Sequence, residues 1–333
     1  MKVAILGASG TTGQSIVDGL LSSTETKFDI TALVRPSSLE KPDVIDLKNK
    51  GITIQAADLN ASEHELGQQL QGQDVVIAAI SIPATMKQIS LANAAKVAGV
   101  KRFVPCFFAP VATPKGLVDL RDKKEDVFNH VKKLHLPYTI IDVGWWFQFT
   151  LPKLPSGRGD HAHSGLEIQI PGDGNVLSAF TDNRDIGKFV ARIVADPRTL
   201  NQQIFMYSEM TTVTKIYDLL EKMSNEKIPR RYISGDELLE AINKFGDSRN
   251  LSDDEFLQKA VYQYWYSWGI RGENTDDHAK YLGYVDGNSL YPGIKTRSFE
   301  DYIKEILSGS SIWSANDGRF AGTHLGSLVM MER

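Results

Sequence analysis

Over the first 145 residues the chain alternates between two hydrophobic periods. Lys2–Leu6, Asp29–Val34, Gly51–Gln55, Val75–Ala79, Arg102–Val104 and Tyr138–Val143 are short apolar or β-branched runs and predict strands. Between them, Gln14–Leu21, Ala84–Ala98 and Asp119–Leu134 carry helical spacing. In the last of these, Val127, Phe128, Val131 and Leu134 form one apolar face on an otherwise charged segment. Apolar strands alternating with helices predict a parallel sheet covered on both faces. The rhythm changes after Trp146. The stretch Leu151–Gly174 holds three prolines and five glycines and predicts loop with irregular strand. Helices are then predicted over Asp185–Val194, Thr214–Met223, Asp236–Ile242 and Ser298–Leu307, with strands at Gln203–Met206 and Arg231–Ile233. Ser234 or Asp236 suits the N-cap of the helix near 240.

The first strand ends in Gly7-Ala-Ser9-Gly10-Thr11-Thr12-Gly13, directly before a helix. Glycine permits a tight turn there and lets backbone N–H groups approach a pyrophosphate, to which the helix N-terminus adds its positive dipole end. Placed after a first strand and inside a βαβ unit, the loop predicts a dinucleotide site. The expected architecture is therefore α/β: a Rossmann-type doubly wound parallel sheet with a smaller C-terminal α+β domain. The boundaries are read as 1–150 for the nucleotide domain and 151–307 for a substrate region, some of whose strands and helices return to the first domain. Residues 308–333 are rich in Gly and Ser and are read as a loosely ordered tail.

The second strand decides which dinucleotide. An NAD site would place Asp or Glu about 20 residues past the loop, on the ribose hydroxyls. Here the place reads Leu33-Val34-Arg35-Pro36, and an arginine can pair with a 2′-phosphate. NADP(H) is the expected cofactor. In an open parallel sheet the ligand lies across the C-terminal strand ends. Asp58 and Leu59, Ile80 and Ser81, and Val143 and Gly144 are therefore expected to line the cofactor.

Composition narrows the partners. The formal charge of −4 offers no basic field for nucleic acid or anionic lipid. No apolar run reaches the ~18 residues of a membrane span, and Met1-Lys2 leads straight into a strand rather than a signal peptide. The single cysteine, Cys106, makes no internal disulfide, so a reducing, cytoplasmic setting is expected. His161 and His163 stand two apart without a third ligand in reach, and no metal is expected.

For chemistry, the only Tyr-x-x-x-Lys match is Tyr291–Lys295, where Pro292 and Gly293 forbid a helix. Lys124, on the helix after the fifth strand, remains: a lysine there can bind the cofactor through the nicotinamide ribose or polarise a substrate oxygen, and a partly buried lysine also loses pKa and becomes usable as an acid. Trp145, Trp146, Phe147 and Phe149 follow the sixth strand, Phe107 and Phe108 follow the fifth, and Tyr262, Tyr264, Trp265, Tyr266 and Trp268 form a second cluster. Together these aromatics are expected to wall an apolar pocket.

These residues resemble the isoflavone reductase-like, NmrA-like atypical short-chain dehydrogenases, with a fungal flavour in Val143-Gly-Trp-Trp-Phe-Gln-Phe149. The resemblance rests on the glycine loop, Val100-Lys-Arg-Phe-Val-Pro105, Leu136-Pro-Tyr-Thr-Ile-Ile141, Asp185-Ile186 with Asp196-Pro-Arg-Thr-Leu-Asn201, and Leu290-Tyr-Pro292 with Phe299-Glu-Asp-Tyr302, over residues 1–307. It implies reduction of an aromatic, phenolic or enone metabolite by hydride from NADPH, without the tyrosine. It also implies a catalytic lysine at the position of Lys124, with Lys123 as a weaker claimant, in a monomer or homodimer. Where the plant reductases read Pro-Ser-Glu-Phe-Gly after the fifth strand, this chain reads Pro105-Cys106-Phe107-Phe108-Ala109. Two rival readings share the fold: a dinucleotide-sensing regulator without turnover, and a redox-neutral isomerase or cyclase.

Overall fold

In this computed structural model residues 1–310 are described; most of the Gly/Ser-rich tail lies outside them. The first half runs β1 (Lys2–Leu6), α1 (Thr11–Leu21), β2 (Asp29–Val34), α2 (Pro42–Asn49), β3 (Thr53–Ala56), α3 (Glu63–Gln69), β4 (Val75–Ala78), α4 (Gln88–Val97), β5 (Arg102–Val104), α5 (Asp119–Lys133) and β6 (Thr139–Asp142). There follow β7 (Trp145–Trp146), β8 (Ile170–Pro171), β9 (Ser178–Thr181), α6 (Ile186–Ala195), β10 (Gln202–Phe205), β11 (Glu209–Thr211), α7 (Val213–Ser224), β12 (Tyr232–Ile233), α8 (Gly235–Lys244) and α9 (Asp253–Tyr264). The chain closes with α10 (Asp276–Tyr281), β13 (Val285–Asp286), α11 (Gly287–Leu290) and α12 (Phe299–Ser308).

Five parallel strands form a sheet in the order β3-β2-β1-β4-β5. A parallel bridge from Phe103 to Tyr138 carries it to β6, and β10 and β13 extend it, still parallel. Successive side chains of a strand point to opposite faces, and the packing follows that alternation. Val3, Ile5, Val75 and Ile77 face α1 and α6 on one side. Ala4, Leu6, Val76 and Ala78 face α3 and α4 on the other. The tightest helix crossing, α1 on α6, depends on two glycines: a Cβ on Gly187 would lie 1.7 Å from the Ser15 carbonyl oxygen, and one on Gly19 would lie 2.1 Å from the Gly187 carbonyl carbon.

A second apolar core gathers Trp145, Phe147, Phe180, Trp265, Trp268, Phe299 and Tyr302 with the inner faces of α7, α8 and α9. It lies beyond the C-terminal end of β6, where β7, β9 and β11 make a small mixed sheet. Helix α8 starts at Ser234, whose hydroxyl accepts from the Glu237 amide while the Glu237 carboxylate accepts from the Ser234 amide. Helix α9 begins with the same reciprocal cap between Ser252 and Glu255, and continues without a break into the π-helical turn Trp265–Ile270.

Candidate active site

A cavity of about 260 Å³ opens along the C-terminal ends of β1, β4, β5 and β6. It connects two unlike ends. At one end are Gly10, Thr11 and Thr12 at the start of α1, with Ile80 and Ser81 beyond β4. At the other are Lys124, Cys106, Phe107, Phe108, Trp145, Trp146, Phe149 and one face of α9.

The three glycines of the loop have separate duties. Gly7 has φ +83°, and a Cβ there would fall 2.2 Å from the Ala79 carbonyl oxygen. On Gly13 it would fall 2.0 Å from the Gly7 carbonyl oxygen. Both glycines let the first turn of α1 sit against its own loop and against β4. Gly10 is different: a Cβ there would meet nothing closer than the Gly7 carbonyl oxygen at 3.4 Å, and the residue lines the cavity. As N-cap it supplies no side-chain oxygen to the first turn of α1. The N–H groups of that turn have no intrahelical partner, so the turn is suited to hold a phosphate. Ser9, partly buried, accepts from the Gln14 side chain through its carbonyl at 3.0 Å.

The other predicted cofactor residues divide in two. Ile80, Ser81 and Gly144 line the cavity. Val143 is fully buried just beneath it, its amide donating to the Ala109 carbonyl at 3.0 Å. Arg35 is exposed at the end of β2 and makes no ion pair among the described residues. Asp58 is exposed beyond β3, its Oδ1 accepting from the Asn60 amide and side chain at 2.9 Å each, and Leu59 is half-buried beside it. These three stand along the strand ends outside the cavity proper.

Helix α5 explains Lys124. Although its sequence is mostly charged, Leu120, Arg121, Lys124, Val127, Phe128 and Val131 form a buried stripe. Lys124 is 6% exposed and its Nζ donates to the Phe107 carbonyl. That carbonyl is presented by a tight turn after β5, in which the Phe107 amide donates to the Pro105 carbonyl at 2.9 Å and Phe108 takes φ +34°. A bulky residue at positive φ is uncommon and strained. One turn before Lys124, the fully buried Arg121 donates to Glu125 at 2.8 Å, to Asp142 at 2.6 Å and to the Tyr284 hydroxyl at 2.6 Å. Tyr284 in turn donates to the same Asp142 oxygen at 2.6 Å. This network ties α5 to β6 and to the turn before β13. Burial works against the Arg121 charge, but Asp142, Tyr284 and Glu125 outweigh it and raise its pKa well above the ordinary value.

Burial pushes the Lys124 ammonium below its ordinary 10.5, and the neighbouring Arg121 charge lowers it further, against opposite pulls from Cys106 and Asp142. The half-buried Cys106 is pushed up from 9.0 by burial. Its amide donates to Gln88 at 2.6 Å and its thiol to the Ile80 carbonyl at 3.4 Å. This geometry gives a thiol, not an activated thiolate.

Of the predicted aromatic wall, Phe107, Phe108, Trp145, Trp146 and Phe149 line the cavity, with the Trp146 and Phe149 rings stacked at 5.5 Å. Trp265 does not. It is buried in the second core against the Tyr262 ring, because the pitch of α9 turns the next residue back, Tyr264, to the cavity instead. Leu120, Leu166, Leu257, Ala260 and Val261 add aliphatic surface to the wall. The signal for the last three was present: a Ser252–Glu255 capping box followed by apolar residues at 256, 257, 260, 261 and 264.

No helix among the described residues is long and apolar enough to cross a membrane. The chain is 45% identical over 316 residues to an asnovolin J 5′,6′-dehydrogenase of Aspergillus novofumigatus, covering 93% of this chain and 96% of that one. It is 27% identical to a phenylcoumaran benzylic ether reductase of Nicotiana tabacum, covering 92% and 98%. Among solved structures, a binary complex of leucoanthocyanidin reductase with NADPH from Vitis vinifera superposes with a TM-score of 0.74 at 25% identity, over 92% of this chain and 100% of that one. The NmrA-like family model matches residues 1–303, and the chain belongs to that family.

Proposed function

We propose that the protein is an NADP-dependent oxidoreductase that reduces a small aromatic, phenolic or enone metabolite. The observation that carries this reading is the single cavity joining the N-terminus of α1 to Lys124. A phosphate-holding turn and a buried amine would serve no common purpose unless one elongated ligand spanned them. The family and its named dehydrogenase and reductase relatives support the same reading.

The open space at Gly10 and the free first turn of α1 fit a pyrophosphate. Arg35 would take the 2′-phosphate, with Asp58 and Leu59 bordering the nucleotide. Ser81, Val143 and Gly144 would flank its nicotinamide half. When bound, NADPH supplies the hydride. Lys124 donates a proton or a hydrogen bond to the substrate oxygen that gains charge, and its lowered pKa makes the proton easier to give. The aromatic wall excludes water and holds a planar apolar substrate. Residues 1–150 form the nucleotide half and 151–307 the substrate half, with α6, β10 and β13 packed back on the first sheet.

The test is direct. NADPH is titrated by fluorescence, and its oxidation is followed at 340 nm with a panel of aryl enones and benzylic ethers. The reverse direction is followed with NADP+ and the reduced compounds. Turnover in either direction is expected. Tight NADPH binding without turnover across the panel would favour the sensing role. Product formed without net NADPH consumption would favour redox-neutral chemistry.

A further inference from the structure

At the aromatic end of the cavity, Lys124 is joined by Tyr264. It is 4% exposed, and its hydroxyl has no hydrogen-bond partner among the described residues. A buried hydroxyl left unpaired is costly, and most such groups in folded proteins find a partner. Two indoles of the cavity wall are committed elsewhere. The indole nitrogens of Trp145 and Trp146 donate to the carbonyls of Phe149, at 3.3 Å, and Phe108, at 3.1 Å. Tyr264 lines the cavity together with Lys124. The charges of Arg121, Asp142 and Cys106 act on both the Tyr264 hydroxyl and the Lys124 amine. Two residues with polar ends, from distant parts of the chain, thus line the aromatic end of the cavity.

We propose that the Tyr264 hydroxyl donates a hydrogen bond to the substrate oxygen at the Lys124 end of the cavity, so that Tyr264 and Lys124 together select a ligand bearing a carbonyl or enone oxygen there. The proposal rests on the reading of the cavity as a substrate site and names the group that end must carry. The ring of Tyr264 has its own structural duty, standing 5.9 Å from the ring of Trp145. Only the oxygen is spare. Lysine has three donors, and the contact with the Phe107 carbonyl leaves others for a ligand. A pocket built to satisfy a ligand oxygen discriminates against an isostere lacking it, because its own polar groups are then left unpaired.

The test compares chalcone with 1,3-diphenylpropene, which has the same aryl spacing and no carbonyl. Binding to the NADP+-loaded protein is read by quenching of tryptophan emission. Wild type is expected to favour chalcone by about tenfold, the worth of one hydrogen bond. Tyr264→Phe should remove most of that preference and leave the affinities for 1,3-diphenylpropene and NADP+ unchanged. A preference that is absent in wild type or unchanged in Tyr264→Phe overturns the proposal. A second measurement needs no ligand. If the hydroxyl is spare, the urea midpoint of the ligand-free variant equals or exceeds that of wild type. A clear fall would show that the hydroxyl serves the fold, and would also overturn the proposal. Failure of NADP+ to bind at all would instead overturn the reading of function, leaving the urea comparison in force.

Discussion

The two ends of the cavity are built by opposite means. The α1 end is made of backbone. Gly7, Gly10 and Gly13 contribute space, and all that a Cβ on them would meet lies in the loop itself or just after β4. The Lys124 end is made of side chains drawn from α5, the turns after β5 and β6, and α9, as far apart in sequence as Cys106 and Tyr264. The first end suits a ligand part whose charge and shape are constant. The second is free to vary in size and polarity without disturbing the sheet.

The largest effects should appear where backbone meets backbone. Gly13→Val would drive a side chain into the Gly7 carbonyl and should leave little folded protein by circular dichroism. Gly10→Val has room for its Cβ, so it should fold like wild type while losing NADPH binding. If Gly10→Val bound NADPH normally, the loop would be a turn and not a ligand site.

At the other end, Lys124→Met should lower turnover at saturation by about 10²–10⁴, the usual worth of general acid catalysis. NADPH affinity should change little. Lys124→Arg should not restore proton donation, because a guanidinium stays charged near neutral pH. Near-wild-type turnover in Lys124→Met would remove the lysine from the chemistry and turn attention to Lys123, whose Nζ lies over the Phe256 ring at 3.7 Å.

Arg35 tests the backbone end at its margin. NADPH should bind at least about tenfold more tightly than NADH, roughly 1.4 kcal/mol, and Arg35→Ala should erase most of the difference. Equal dissociation constants for the two nucleotides in wild type would contradict the assignment.

The smallest effect is a pH effect confined to the segment that supplies Leu166 to the cavity. Burial, reinforced by Lys153, lowers the His163 pKa from 6.5 to about 4, and its Nδ1 accepts from the Gly165 amide at 3.0 Å. A depressed folded-state pKa means that this stability is fully present above pH 6.5 and is lost as pH falls through about 4. Wild type should therefore lose about 1 kcal/mol more than His163→Asn between pH 6.5 and 4, after allowance for partial solvent screening. Parallel urea midpoints for the two proteins across that range would refute it.

Much of the fold could be read along the chain because its determinants are local. The runs at Asp29–Val34 and Arg102–Val104 are the observed strands to the residue, since a parallel strand covered on both faces is mostly apolar. Ser234 caps α8 by a rule that spans four residues. The same rule applies at Ser252, yet α9 was not foreseen, because its aromatic residues drew a reading as a wall rather than as a helix with one face inward. Trp265 shows the consequence: which aromatic of a cluster reaches the cavity is set by helix phase.

By itself, then, the sequence determined the parallel sheet, the glycine loop at the start of α1, the basic residue at the end of β2 and the position of Lys124, because each depends on neighbours within a few residues or on one repeating period. Tertiary structure alone decided that Lys124 is buried, that Arg121, Glu125, Asp142 and Tyr284 lock its helix in place, and that Tyr264 rather than Trp265 faces it. Burial and charge pairing depend on which surfaces are removed from water together, and those surfaces lie up to 163 residues apart along this chain.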